Sequence, residues 1–111
     1  MSHEKFKSCI DACLRCATEC AHCYSACLHS GDKHMAHCAM ICNECADICL
    51  LTAKHLAAGS HHAEHWCRFC AEICEACAQE CDKHSDEHCK RCAEECRRCA
   101  DECRKMAGAA A

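Results

Sequence analysis

Cysteines fall at Cys9, Cys13, Cys16, Cys20, Cys23 and Cys27, so the intervals run four, three, four, three, four. That alternation is the a/d repeat of an α-helix that turns one narrow stripe toward partner helices. Positions that Leu or Ile fill in an ordinary bundle carry thiols here, over about 27 Å of helix axis at about 1.5 Å per residue. Such a stripe must be buried among other helices. Once buried, it is a row of soft metal ligands.

The same unit, Cys-x3-Cys-x2-Cys, returns in three further segments. Cys38, Cys42, Cys45 and Cys49 form the second stripe, continued in phase by Thr52 and Leu56. Cys67, Cys70, Cys74, Cys77 and Cys81 form the third, and Cys89, Cys92, Cys96, Cys99 and Cys103 the fourth. Gly31 and Gly59-Ser60 punctuate the segments, with Ser60 suited to cap a following helix and Ser85 or Asp86 to open the last. The spacing predicts helices over about 2–30, 33–57, 60–83 and 86–106 within a single domain 1–111, the closing Ala-Gly-Ala-Ala-Ala fraying. No Pro occurs, only three Gly do, and nothing alternates with period two, so the fold class is all-α. Short connections make sequential helices antiparallel. The expectation is therefore an up-down-up-down four-helix bundle with a cysteine-lined core.

Charge and hydropathy exclude several functions. A net charge of −4 without a basic cluster speaks against nucleic acid. No apolar run reaches the length of about 18 residues that a membrane span needs. The first residues carry no apolar stretch after their charges, so no secretory signal is expected and the protein is read as cytoplasmic. Thiols stay reduced in that compartment, and the strict helical period also differs from the irregular spacing of disulfide scaffolds. An iron–sulfur ferredoxin pattern is not matched, and no βαβ context supports a thioredoxin-like role. No carboxylate pair, phosphate loop or nucleophile–base pair gives a specific signal, so no catalytic residue is assigned and the chain is not read as an enzyme.

Buried Cys can act as a small hydrophobe. Twenty of them, all inward, are not explained that way, since Ala or Val would pack as well without the risk of oxidation. Residues three and four apart on a helix hold their Cβ atoms about 5–6 Å apart, close enough for two thiolates to clamp one small ion. Cu(I) accepts two or three soft ligands and suits a continuous thiol column. Zn(II) prefers closed tetrahedral quartets. Multiple Cu(I) ions per chain are therefore expected, about one per Cys when thiolates bridge neighbouring ions. A zinc-buffering, metallothionein-like protein is the alternative. Protonated thiols pack as apolar groups on good helix formers, so the metal-free bundle should already be helical.

Stacking the stripes puts Cys27, Cys38, Cys81 and Cys89 at one level beside the short loops, with Ser30, Met35, His84 and Ser85 beyond them. At the other end Cys9 reaches the level of Leu56, Ala63 and Met106, with Phe6 outside. One mouth is polar and the other is plugged. Met35 and His84 fall on the inward phase; His88 flanks it, and His34 and His37 lie near the same mouth. His55, His61, His62 and His65 gather at the opposite end and read as solvent-exposed, or as adventitious ligands for Zn(II) or Ni(II). Ile10, Leu14, Tyr24, Leu28, Ile41, Ile48, Trp66, Phe69 and Ile73 flank the first three stripes and exceed what a lone monomer should expose. They point to a subunit interface. The fourth helix, flanked by Arg91, Glu95, Arg98 and Glu102, looks solvent-facing.

With stripes from Cys9 to Cys103 on all four segments, the chain resembles the bacterial copper storage proteins, specifically their cytosolic branch. The resemblance implies a four-helix bundle that binds many Cu(I) ions through its core cysteines and assembles as a homotetramer. It implies that each of the twenty cysteines is a core ligand, and that His or Met near one mouth adds further ligands, for which Met35, His84 and His88 fit. Copper delivered by a chaperone is the expected partner. Thr52, Leu56 and Ala63 interrupt the column toward the plugged end.

Overall fold

The computed structural model describes residues 2–110. A short helical turn, α1 (Ser2–Lys5), leads through Phe6 into α2 (Lys7–His29). A 3-10 turn at Lys33–Met35 opens α3 (Ala36–Ala57), followed by α4 (Ala63–Cys81) and α5 (Glu87–Ala110). No strand occurs among the described residues. Helix α2 packs on α3 and α5, and α4 packs on the same two, so the four long helices form a square antiparallel bundle of 45 × 19 × 17 Å.

The turns explain where the helices stop. Gly31 and Gly59 adopt φ of +71° and +74°, a left-handed conformation in which a Cβ would be strained. After α3, the Gly59 N–H donates to the Leu56 carbonyl at 3.1 Å and the Ser60 N–H to that of His55 at 3.0 Å, the paired bonds of a Schellman motif. Ser60 does not cap α4 directly. Its Oγ accepts from the His62 N–H at 3.0 Å, which shapes the turn, and the helix begins three residues later than the sequence suggests. The Asp86 carbonyl accepts from the Cys89 and Lys90 N–H groups and starts α5. That helix runs on through Ala110 where fraying was expected; Ala is the best helix former, and the cost of Gly108, about 1 kcal/mol, is tolerated.

All twenty cysteines are buried, Cys27 at 3% exposure and the rest at 0%. Buried alanines flank the thiols on every long helix, for example Ala12, Ala39, Ala71 and Ala100, and let the helix backbones come close. Phe6, Leu56, Ala63 and Ala107 close one end, with Met106 packed against them partly exposed. Ion pairs Arg97–Asp82 and Arg104–Glu75 join α5 to α4 on the surface. Such exposed pairs contribute about 0–1 kcal/mol each. Leu14, Leu28, Met40, Leu50, Leu51 and Phe69, on α2, α3 and α4, remain exposed, whereas α5 shows no large exposed hydrophobic side chain among the described residues.

Candidate metal centre

Four stripes facing one axis give a single column of sulfur. Along the seam between α2 and α5, Cys9 Sγ lies 3.6 Å from Cys103, Cys13 3.7 Å from Cys99, Cys16 3.7 Å from Cys96, and Cys20 3.6 Å from Cys92. Across α3 and α4, Cys49 lies 3.6 Å from Cys74 and 3.9 Å from Cys70, Cys45 3.8 Å from Cys74, Cys42 3.7 Å from Cys77, and Cys38 3.8 Å from Cys81. Cys67, fully buried, carries the α4 stripe to the far end. None of the thiols is in a disulfide.

These distances fit soft cations. With metal–sulfur bonds of about 2.3 Å, sulfurs separated by 3.6–4.0 Å subtend about 105–120° at a shared ion, a range that spans tetrahedral and trigonal coordination. Linear two-coordination needs about 4.6 Å, a change that a small χ1 adjustment supplies. The sets of thiols whose sulfurs lie within 4.8 Å of one another overlap. Cys13, Cys70, Cys99 and Cys103 form one; Cys16, Cys49, Cys74 and Cys99 the next; Cys16, Cys20, Cys45 and Cys96 a third; Cys20, Cys77, Cys92 and Cys96 a fourth. Neighbouring sets share Cys99, Cys16, Cys20 or Cys96, so closed tetrahedra cannot occupy them all. Bridging thiolates can.

At the loop end, Cys23, Cys27, Cys38 and Cys89 form the outermost set. The layer expected there contained Cys81 in place of Cys23. Helix α4 ends at Cys81, whose sulfur lies 3.8 Å from both Cys38 and Cys42, one step further in. Burial and the neighbouring charge of Cys38 push the Cys27 thiol up to about 11. Burial, then Cys38 and Cys27, push Cys89 up to about 12. Cys38 is pulled down instead, by hydrogen bonds from Cys23, Cys42 and Cys81. Within this outer set Cys38 thus gives up its proton more readily than Cys27 and Cys89.

The mouth residues do not all face the sulfur. His88, 17% exposed at its side chain, brings Nδ1 to 3.4 Å from Cys23 Sγ and 3.5 Å from Cys89 Sγ. One ion bonded to nitrogen at about 2.0 Å and to sulfur at about 2.3 Å spans such a gap at an angle near 105°. His84, expected on the inward phase, instead turns Nε2 to Glu80 Oε2 at 3.2 Å. The helical phase carried forward from Cys81 fails because α4 has ended, and His84 sits in the turn held by its N–H bond to the Cys81 carbonyl. Met35 is buried at 3% in the 3-10 turn, while His34 and His37 are exposed. At the opposite end His55 stacks on Trp66 at 4.7 Å and His61, His62 and His65 are exposed.

Two acids at the mouth stand beside histidines with which the sequence did not pair them. Glu80 looks like any outward acid one position before a cysteine, yet it is only 8% exposed, with Lys83, His37 and His84 around its carboxylate. Asp86 stands 3.8 Å from His88 Nε2. Their i,i+4 and i,i+2 spacing from histidines was the available signal.

The sequence profile of the copper storage protein family (Csp) matches residues 2–108. No curated protein matches the chain. Among solved structures, apo Csp3 from Bacillus subtilis is 44% identical, with 91% of this chain and 97% of that one covered and a TM-score of 0.84. The Cu(I)-bound copper storage protein BsCsp3 is 42% identical over 96% and 99%, with a TM-score of 0.87. A cytosolic copper storage protein from Streptomyces lividans, carrying five coppers, is 35% identical over 96% and 95%, with a TM-score of 0.85. Copper-bound relatives at this similarity do not favour the zinc-buffer alternative. A bundle whose core is a column of twenty buried thiols, matched over nearly its whole length, thus belongs to the copper storage protein family.

Proposed function

We propose that this protein stores Cu(I) in the cytoplasm at about one ion per thiolate, filled through the loop-end mouth, and that the role involves no catalysed reaction. The observation that carries the reading is the overlap of the thiol sets along one buried column. Sulfurs within the column belong to more than one set, so bridging can use a thiolate twice. Electrostatics point the same way. Net charge in a low-dielectric core is costly, and twenty thiolates are neutralised by twenty monovalent ions. Isolated tetrathiolate zinc sites would each leave a buried double negative charge.

The mouth is the route in because a cation does not cross a packed helix wall. His88 stands against Cys23 and Cys89, with Met35 buried nearby on α3's leading turn and His84 in the adjoining turn. These soft or borderline ligands can take Cu(I) from a donor and pass it to the outer thiols by ligand exchange. The other end offers Phe6 and Leu56, with only the Met106 thioether able to bind. Delivery by a copper chaperone and assembly into a homotetramer through the apolar patches on α2, α3 and α4 complete the proposal. Loading rates from a Cu(I) donor test it. Met35→Ala with His84→Ala and His88→Ala should slow loading and lower capacity by no more than a few ions. Phe6→Ala with Met106→Ala should leave the rate unchanged; control by this second pair would place the door at the wrong end.

A further inference from the structure

His84 and His88 each turn Nε2 toward a carboxylate. His84 aims Nε2 at Glu80 Oε2, 3.2 Å away; His88 aims Nε2 toward Asp86 Oδ2, 3.8 Å away, and Nδ1 at two sulfurs. A carboxylate can only accept a hydrogen bond, so the His84 Nε2 that meets Glu80 carries the proton. In a neutral ring the lone pair is then on Nδ1. Only Glu80 is within hydrogen-bond distance of its histidine; Asp86, at 3.8 Å, is not. Glu80 lies in α4 one turn before His84, is 8% exposed, and is braced by Lys83 Nζ at 3.2 Å and His37 Nε2 at 3.8 Å on its other oxygen.

We infer that Glu80 is a positioning residue for copper loading: it holds His84 as the Nε2–H tautomer with Nδ1 free to receive Cu(I), matching the nitrogen that His88 presents to Cys23 and Cys89. This rests on the mouth being the route in. Metal-binding histidines commonly donate their second N–H to a carboxylate, which fixes the ring and raises its basicity. Glu80 reaches no sulfur itself; its effect is transmitted through His84. Fixing the His84 ring, four residues before His88 in sequence, also spares a rotamer search each time an ion arrives.

The test combines ¹⁵N NMR of the reduced apoprotein with loading kinetics. Wild-type His84 should show the Nε2–H tautomer; Glu80→Ala should shift it toward a mixture and slow loading by about ten-fold or more, the usual scale for losing such a partner. In a His84→Ala background the same Glu80 change should have no further effect. Glu80→Gln keeps the side-chain volume and serves if the Ala variant unfolds: its His84 Nε2–H population should fall below wild type. An unchanged tautomer, or a rate loss that persists without His84, would overturn the inference. Failure of the mouth reading looks different: His84→Ala and His88→Ala would then load at the wild-type rate whatever Glu80 does.

Discussion

Thr52 is the one buried side chain in the column whose hydroxyl has no hydrogen-bond partner among the described residues, and it is 0% exposed. It follows Cys49 in phase and stands where the stripe would place another thiol. An unsatisfied buried hydroxyl costs about 1–3 kcal/mol, because it gives up water without replacement. Val has nearly the same shape and no polar atom, and its helix propensity is close to that of Thr. Thr52→Val should therefore stabilise the reduced apoprotein by about 1 kcal/mol or more. For a domain near this size, 1 kcal/mol moves Tm by roughly 4–8 °C. Far-UV circular dichroism during heating, under anaerobic reducing conditions, reads the shift directly. A Tm that stays put or falls would mean that the hydroxyl is satisfied, and the reasoning fails. Thr52→Cys extends the test to function: a thiol at this point lengthens the column and should raise Cu(I) capacity by about one ion.

Other outcomes follow from the same packing. The reduced apoprotein should be largely helical before any copper is added, since the protonated thiols already form the core; a coil spectrum that becomes helical only with Cu(I) would refute this. Apoprotein stability should decline in alkali. Cys27 and Cys89 are raised from about 9 to about 11 and about 12, so below pH 9 they are neutral in both states and their contribution is fully present. Above pH 9 the unfolded chain ionises first and the advantage is lost as pH climbs toward 12. Cys38 is shifted the other way, so its contribution is already in place above the unfolded pKa of about 9 and does not offset the loss. Denaturant titrations at a series of pH values measure the slope, and a flat profile from pH 9 to 12 would contradict it.

Much of this architecture was legible because cysteine replaces the usual core residues at every inward position. The four–three alternation fixes both the helix and its buried face, and Gly31 and Gly59 mark two chain reversals through the left-handed conformation they alone tolerate here. Counting by helical phase fails where the helix stops. His84 was placed inward by extending the period past Cys81, but the turn swings its ring to Glu80. His88, one residue off the stripe, reaches two thiols because it lies in the first turn of α5 beside the open end of the column. The same limit hid Glu80, whose burial arises from the α3 and α4 ends meeting at the mouth and not from its position along one helix. Stacking of layers was similarly off by one member, Cys23 for Cys81, since axial stagger between helices is set by tertiary packing.

The central claim is that one continuous column of bridging thiolates holds copper ion by ion. Anaerobic titration of the reduced apoprotein with Cu(I), following bound metal against a competing chelator, tests it most directly. Bridged two- and three-coordinate binding predicts uptake continuing to about twenty ions per chain, with displacement of thiol protons on the way. Saturation near five, with four thiolates spent on each ion, would mean closed separate sites and would contradict the account.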